Sequence, residues 1–368
     1  MHLGSVAWYY IFPIVIIIIS FFSSKKKGAG IGIALIMLFF SMFRGDYVGN
    51  DTMNYMSDNR IKTRGYDMDI SLDGFFDNIG SKIEFIDILI NRLVYNYSLD
   101  SRCIIYIYSI ITISFLYLAL KRIKSNISIA LLLYILLCAY YFSFSASRQM
   151  ASVSILFYGI TFLLVKQKST LKFLSFYLIS FLIHSSSIFF LPLCLIRNRM
   201  INRKKCTFFI CIFAVLYLGL NINILPLILK FFNVEYFVNT IYEYGDDVSH
   251  SIFKRIMDII KYGPFVYVFY KRKLYTPCLN NKPYKVVATD NWDMFFIISF
   301  VVVIVCAPLP GLISRLSYIF IVYLCAYSAK FYSIKSNFKY FVIWASIMIT
   351  HVGAFGVNSL TSGYYMIF

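Results

Sequence analysis

Acidic residues are scarce in this chain: 17 Asp and Glu stand against 35 Lys and Arg, with 4 His, in 368 residues. Charged residues make up 14% and hydrophobic ones 60%, with a mean hydropathy of +0.73. That balance excludes an ordinary soluble domain. There is no CxxC and no paired cysteine spacing, and the 8 Cys lie mostly inside apolar runs. Buried, inert thiols follow, with neither a disulfide framework nor a zinc site. No HExxH, DxD, GxSxG or Walker pattern stands where it would matter, so neither a bound metal nor a nucleoside triphosphate is expected. Internal repeats, low-complexity segments and a soluble domain are also missing. The net charge of +18 does not point to nucleic acid, because the basic residues fall in short loops between apolar runs. That distribution orients a membrane protein.

What the chain does have is apolar runs approaching the roughly 20 residues a helix needs to cross hydrocarbon. Aromatics reach 19% and gather near the ends of runs, as interfacial belts require. The expected fold is an all-α integral membrane protein, a single polytopic domain over 1–368. Val6 to Phe22 is the first span. Lys25, Lys26 and Lys27 follow it rather than precede it, which reads as a retained anchor and not a cleaved signal peptide. Gly28 to Phe43 returns outward.

A long polar loop, about 44–101, holds most of the acids. Within it, Ile83 to Tyr97 carries Ile83, Ile86, Leu89, Ile90 and Leu93 at helical spacing, which predicts an amphipathic helix on the membrane surface. Spans are then expected at Arg102 to Leu120, Ile127 to Phe142 and Gln149 to Val165, with Ser143 to Ser147 as a short outer turn. Phe173 to Ile196 is long enough for one span but has basic loops on both sides. A hairpin of two short helices, with His184-Ser185-Ser186-Ser187 at its outer tip, keeps both loops inside. Further spans follow at Cys206 to Leu220, Ile256 to Tyr270, Met294 to Ala307, Leu312 to Phe331 and Phe338 to Phe355, with a second outer loop at about 221–255. The sum is about twelve membrane segments with both termini outside.

An ionisable residue at or near membrane depth is costly and is a functional-site candidate for that reason. Arg44, Arg148, His184 and Arg315 each fall at the outer end of an expected span. Arg pairs with phosphate oxygens through a bidentate fork, so several such cations at one membrane edge suit a phosphate or diphosphate headgroup. They would also stabilise a diphosphate as it leaves. The alternative for each Arg is snorkelling to lipid headgroups or pairing with loop acids. His184 suits a general base, or else a hydrogen-bonded residue that stabilises the hairpin tip. Asp46 and Asp51 flank Tyr47-Val48-Gly49-Asn50 just past Arg44, and could bind sugar hydroxyls, act as a base, or pair with Arg44.

Four stretches in order carry a resemblance. They are Phe43-Arg44-Gly45-Asp46-Tyr47-Val48-Gly49-Asn50-Asp51 through Tyr55, Arg148-Gln149-Met150-Ala151, Phe181-Leu182-Ile183-His184-Ser185-Ser186 leading to Leu191-Pro192, and Gly311-Leu312-Ile313-Ser314-Arg315-Leu316-Ser317-Tyr318. With them the chain resembles the EpsG/Wzy family of bacterial polysaccharide polymerases. The closing Ser362-Gly363-Tyr364-Tyr365 lacks a Pro-Tyr ending that some members have.

The resemblance implies a glycosyltransferase in the bacterial inner membrane with its active site facing the periplasm. It would transfer a growing undecaprenyl-diphosphate-linked glycan onto the non-reducing end of an incoming lipid-linked repeat unit. No cofactor and no metal is implied. Arg148 and Arg315 would hold the donor diphosphate and Arg44 either diphosphate, with Asp46 in substrate binding and Asp51 or His184 as the base. The implied partners are the undecaprenyl-diphosphate-linked oligosaccharide, membrane lipid, a chain-length regulator and a flippase. A flippase of the same lipid-linked unit and an O-antigen ligase are the competing readings.

Overall fold

The computed structural model describes residues 14–16, 29–44, 51–64, 84–164, 169–187, 190, 261–268, 295–303, 311–331, 345 and 348–349. The described residues are helical or lie in turns between helices, as the all-α expectation requires. The chain divides into two compact units, one of Met1–Arg197 with Ser333–Phe368 and one of Asn198–Tyr332.

The first unit contains nine described helices: α1 (Ala29–Met42), α2 (Thr52–Met56), α3 (Asp58–Lys62), α4 (Phe85–Asn96), α5 (Arg102–Arg122), α6 (Ile127–Leu136), α7 (Ala139–Ser145), α8 (Ser147–Leu164) and α9 (Thr170–Ile183). At 21 residues, α5 is among the described residues the one helix long and apolar enough by itself to cross a membrane. Its length is about 30 Å, the thickness of a hydrocarbon core.

Helix α8 packs along both α5 and α9, and α1 packs on α5 and α6. Rings seal the first of these contacts. Tyr158 of α8 stands edge-on to Phe115 of α5 and to Phe176 of α9, with centroids 5.8 and 4.9 Å apart. Gly159 allows the approach of α9, because a Cβ there would lie 2.8 Å from Phe176 Cβ.

Turn chemistry sets the direction of α4 against α5. Past the end of α4, Ser98 takes a left-handed φ of 46°. The Leu99 N–H then donates to Val94 O and the Ser98 N–H to Tyr95 O. This is the paired closure that satisfies the last carbonyls of a helix. Asp100 next accepts from the Arg102 N–H at 2.8 Å, and α5 begins. The chain folds back on itself and brings the first turn of α4 to Tyr108.

Three expectations meet a more detailed outcome. The run from Ile127 is not one straight span: α6 and α7 meet at a 63° bend, where Cys138 adopts a left-handed φ of 61°. Helix α4 forms where an amphipathic helix was expected, but its buried face is Asp87, Ile88, Ile90, Asn91 and Val94. Leu89 and Leu93 point outward. The expected second span is α1, the fifth is α8, and α9 stops at His184 with Ser185–Ser187 as a 3-10 turn. The second limb of the hairpin, from Leu191, lies outside the described residues, as do nearly all of the first span and the second outer loop. In the second unit, residues 261–268 and 295–303 are helical and Gly311–Phe331 is a 21-residue helix. The total of about twelve spans is not counted among the described residues.

Candidate functional site

Glu84 and Asp87 begin the site. Glu84 is the N-cap of α4 and Asp87 lies in its first turn, so their side chains rise on one side of the helix, three residues apart. Arg60 on α3 and Arg64 one turn later share a face for the same reason. Arg148 reaches in from the first turn of α8, Tyr108 from α5, and His184 from the residue that ends α9.

Asp87 is the hub. It is fully buried. Arg60 Nη2 donates to both of its carboxylate oxygens, at 3.2 and 3.0 Å. Arg64 Nη1 and the Tyr108 hydroxyl also donate to it, and Arg148 Nη1 lies 3.4 Å from Oδ2. Asn91 Nδ2 holds the Asp87 backbone carbonyl at 2.7 Å. A charge buried this deeply requires such donors, since an unpaired carboxylate would be neutralised instead.

Glu84 is held less completely. Its Oε2 accepts from Arg64 Nη1 at 3.2 Å and pairs with Arg148 Nη1. Its Oε1 faces His184 Nε2 at 3.6 Å. His184 Nδ1 accepts the Ser186 N–H at 3.2 Å, so the proton of the neutral imidazole belongs on Nε2, toward Glu84. The turn carrying these groups is anchored by three buried hydroxyls. Ser187 Oγ lies 2.6 Å from both Ser152 Oγ on α8 and Ser180 Oγ on α9. Beneath the arginines lies the ring of Tyr55, 4.5 Å from the Arg60 guanidinium carbon and 5.5 Å from that of Arg148.

Arg44 sits beside this cluster in a different environment. It donates to Ser41 O at 2.8 Å, Ser147 Oγ at 3.0 Å, Thr52 Oγ1 at 3.3 Å and Phe144 O at 3.4 Å. Among the described residues its partners are all neutral. Burial draws its pKa down to about 10, which leaves it charged at neutral pH. Arg44 and Arg148 therefore flank the N-terminus of α8, where the helix dipole adds further positive potential. Such an end favours an anion.

Of the six residues singled out from sequence, Arg44, Arg148 and His184 lie around this end of α8. Asp51 caps α2 from a half-buried position without a side-chain capping bond, next to the Thr52 that Arg44 contacts. Asp46 lies outside the described residues. Arg315 belongs to the helix Gly311–Phe331 of the second unit, and its side chain is outside the described residues. Sequence reading passed over Arg60, Arg64, Glu84, Asp87 and Tyr108. The available signal was the Glu84-x-x-Asp87 spacing, which sets a carboxylate inside the apolar run Phe85-Ile86-Asp87-Ile88-Leu89-Ile90, together with Arg60 and Arg64 four apart. Among the described residues no three His, Cys, Asp or Glu side chains group as metal ligands would.

The EpsG family model matches residues 29–367. The chain belongs to the EpsG family. The match takes in every residue of the cluster, Arg44, and Arg315 in the second unit. No curated protein and no solved structure matches this EpsG-family chain.

Proposed function

We propose that this chain is a Wzy-type polymerase of lipid-linked polysaccharide repeat units, embedded in the bacterial inner membrane by about twelve segments, with the α8 N-terminus on the periplasmic side. The observation that carries the reading is the convergence of Arg148, Arg60 and Arg64 with Arg44 at one end of an apolar helical bundle, in a chain of the EpsG family. A diphosphate headgroup needs several cations at a membrane edge, and the polyprenyl tail needs an apolar flank beside them.

In this reading Arg148 holds the donor diphosphate and Arg44 either diphosphate, while Asp46 binds sugar hydroxyls. The acceptor hydroxyl oxygen attacks the anomeric carbon of the growing chain. The bond from that carbon to the diphosphate oxygen breaks, and the electron pair leaves with the diphosphate, whose charge the arginines stabilise. The acceptor proton goes to His184 or Asp51. Glu84 favours His184: a proton taken at Nδ1, in exchange for the Ser186 N–H, gives an imidazolium whose Nε2–H faces a carboxylate. The bond to the donor is already activated, so no nucleotide sugar is consumed. A chain-length regulator and a flippase that delivers the repeat units are the expected partners.

The test is the polysaccharide profile of the host after deletion of the gene. Loss of the ladder with a single capped unit remaining supports the polymerase. Loss of the single-unit band as well transfers the assignment to a flippase, or to a ligase that moves finished chains. An Arg148→Ala variant with a ladder like that of the wild type would remove Arg148 from the mechanism.

A further inference from the structure

The arginine cluster carries more cationic charge than its carboxylates neutralise. Arg60, Arg64 and Arg148 bring three positive charges to the two negative charges of Asp87 and Glu84. Two guanidinium donors, Arg60 Nε and Arg148 Nε, are buried and have no hydrogen-bond partner among the described residues. Buried donors of this kind are rare and call for an explanation.

The two carboxylates differ in how they are held. Asp87 takes donors from three arginines and Tyr108, and its own carbonyl is tied by Asn91. Glu84 uses one oxygen on two arginines, and its other oxygen faces His184 at 3.6 Å. It sits at the N-cap with a non-helical φ of −116° and ψ of 69° and makes no side-chain cap bond. Removing Glu84 from the arginines would leave Asp87 in place and free charge and donors on Arg64 and Arg148.

We propose that Arg60, Arg64 and Arg148 form a subsite for a phosphate or diphosphate group, and that the Glu84 carboxylate is its resident occupant, displaced from the arginines onto His184 when the ligand enters. The inference rests on reading this end of the bundle as one that holds a diphosphate. It adds two arginines to the anion site and a self-inhibitory contact to its regulation. Glu84 keeps the arginines ordered and the site closed to weaker anions. Asp87 keeps them in register when Glu84 leaves. A site closed by its own side chain binds with the intrinsic affinity reduced by the open fraction, so removing the carboxylate charge raises affinity.

The experiment is a calorimetric titration of the purified full-length protein in detergent with inorganic pyrophosphate, against sodium sulfate at equal ionic strength. Glu84→Gln is expected to tighten pyrophosphate binding about tenfold, the gain if the site is open about a tenth of the time. Glu84→Asp, which withdraws the carboxylate by one methylene, is expected to tighten it less. Arg64→Gln is expected to weaken it about tenfold through loss of charge-assisted bonds. If Glu84→Gln does not fold, Glu84→Asp decides. Equal or weaker binding in the Glu84 variants, or no saturable binding in wild type and variants alike, overturns the proposal. Farnesyl diphosphate is the second probe: tighter binding than pyrophosphate, with the same response to Glu84→Gln, assigns the subsite to a prenyl-linked group, and equal binding assigns it to the free anion. The polymerase reading fails separately. A ladder unchanged by gene deletion defeats it whatever the titration gives, and a lost ladder with no Glu84 effect defeats the latch alone.

Discussion

Arg148 in the first turn of α8 pairs with Glu84 at the N-cap of α4, and the same guanidinium nitrogen lies 3.4 Å from Asp87 Oδ2. One cation thus ties two helices through two carboxylates. Little of it meets water, since the Arg148 side chain is 17% exposed and that of Asp87 is 0% exposed. Ion pairs in such a place gain little over an apolar contact, but losing one member strands the other. That asymmetry makes the cluster readable by single substitutions.

Asp87→Asn should be among the most damaging conservative changes in the chain. It removes the charge on which three arginines and Tyr108 converge, and it leaves Arg60 without its carboxylate. A loss of about 3–5 kcal/mol is expected, as for breaking a buried ion pair. Thermal unfolding of the detergent-purified protein reads it directly. Asp51→Asn, half-buried and without a cap bond, should leave the transition within about 0.5 kcal/mol of wild type. Equal stability of the two variants would remove Asp87 as the hub.

Gly159→Ala tests the packing that carries α8 past α9. The added Cβ would fall 2.8 Å from Phe176 Cβ and 3.5 Å from the Phe173 carbonyl oxygen. The 2.8 Å approach is the clash, and a Cβ is fixed to its backbone and cannot rotate away as a side-chain tip can, so the helices must separate. A cost of about 1–3 kcal/mol is expected, and in a Phe176→Gly background, which lacks the clashing Cβ, the same Gly159→Ala change should cost less. A double-mutant cycle measures the coupling. Strict additivity would show that the two residues do not limit the approach.

The helices with long apolar runs were legible in the sequence because each is bounded by polar or basic residues. Arg102 to Arg122 closes on Lys121 and Arg122, and Ala29–Met42 stops at Arg44. The bend at Cys138 was not legible. The apolar run continues through it, and a left-handed cysteine leaves no mark in composition. Arg44, Arg148 and His184 stood out because each interrupts or ends an apolar run. Glu84, Asp87, Arg60 and Arg64 did not, because they lie in the acidic stretch before Arg102, where charge is expected to be solvated. The Ile/Leu stripe of α4 was read as lying on the membrane surface, which left the side packed on the protein unassigned. That packed side combines Asp87 and Asn91 with Ile88, Ile90 and Val94, a mixture that only its partners on α3, α5 and α8 can select.

The apolar face of α1 offers a test of membrane embedding. Ile31, Leu35, Phe39 and Phe43 recur every four residues and are 47%, 58%, 57% and 56% exposed, a continuous stripe that water would disfavour. With the native cysteines replaced, a Leu35→Cys thiol should resist a membrane-impermeant maleimide both in intact cells and after permeabilisation. A Leu99→Cys thiol in the α4–α5 turn should react in intact cells, which would place that turn outside. Rapid labelling at position 35 would show that the stripe faces water.

Arg44 separates charge from geometry. Its guanidinium reaches five neutral acceptors in different directions, Ser41 O, Ser41 Oγ, Ser147 Oγ, Thr52 Oγ1 and Phe144 O, and stands 5.0 Å from the centre of the Phe144 ring. A lysine keeps the charge but offers one compact ammonium, which cannot serve that fork. Arg44 has a pKa of about 10, and its proton is lost only as pH rises through that value. The cation is therefore present throughout the physiological range, and loss of activity near neutral pH must come from another group. If Arg44 acts by positioning α8 as well as by charge, Arg44→Lys should shorten the polysaccharide ladder nearly as much as Arg44→Gln, with both proteins reaching the membrane at wild-type levels. If charge alone matters, Arg44→Lys should restore the full ladder, and these hydrogen bonds would then be incidental to function.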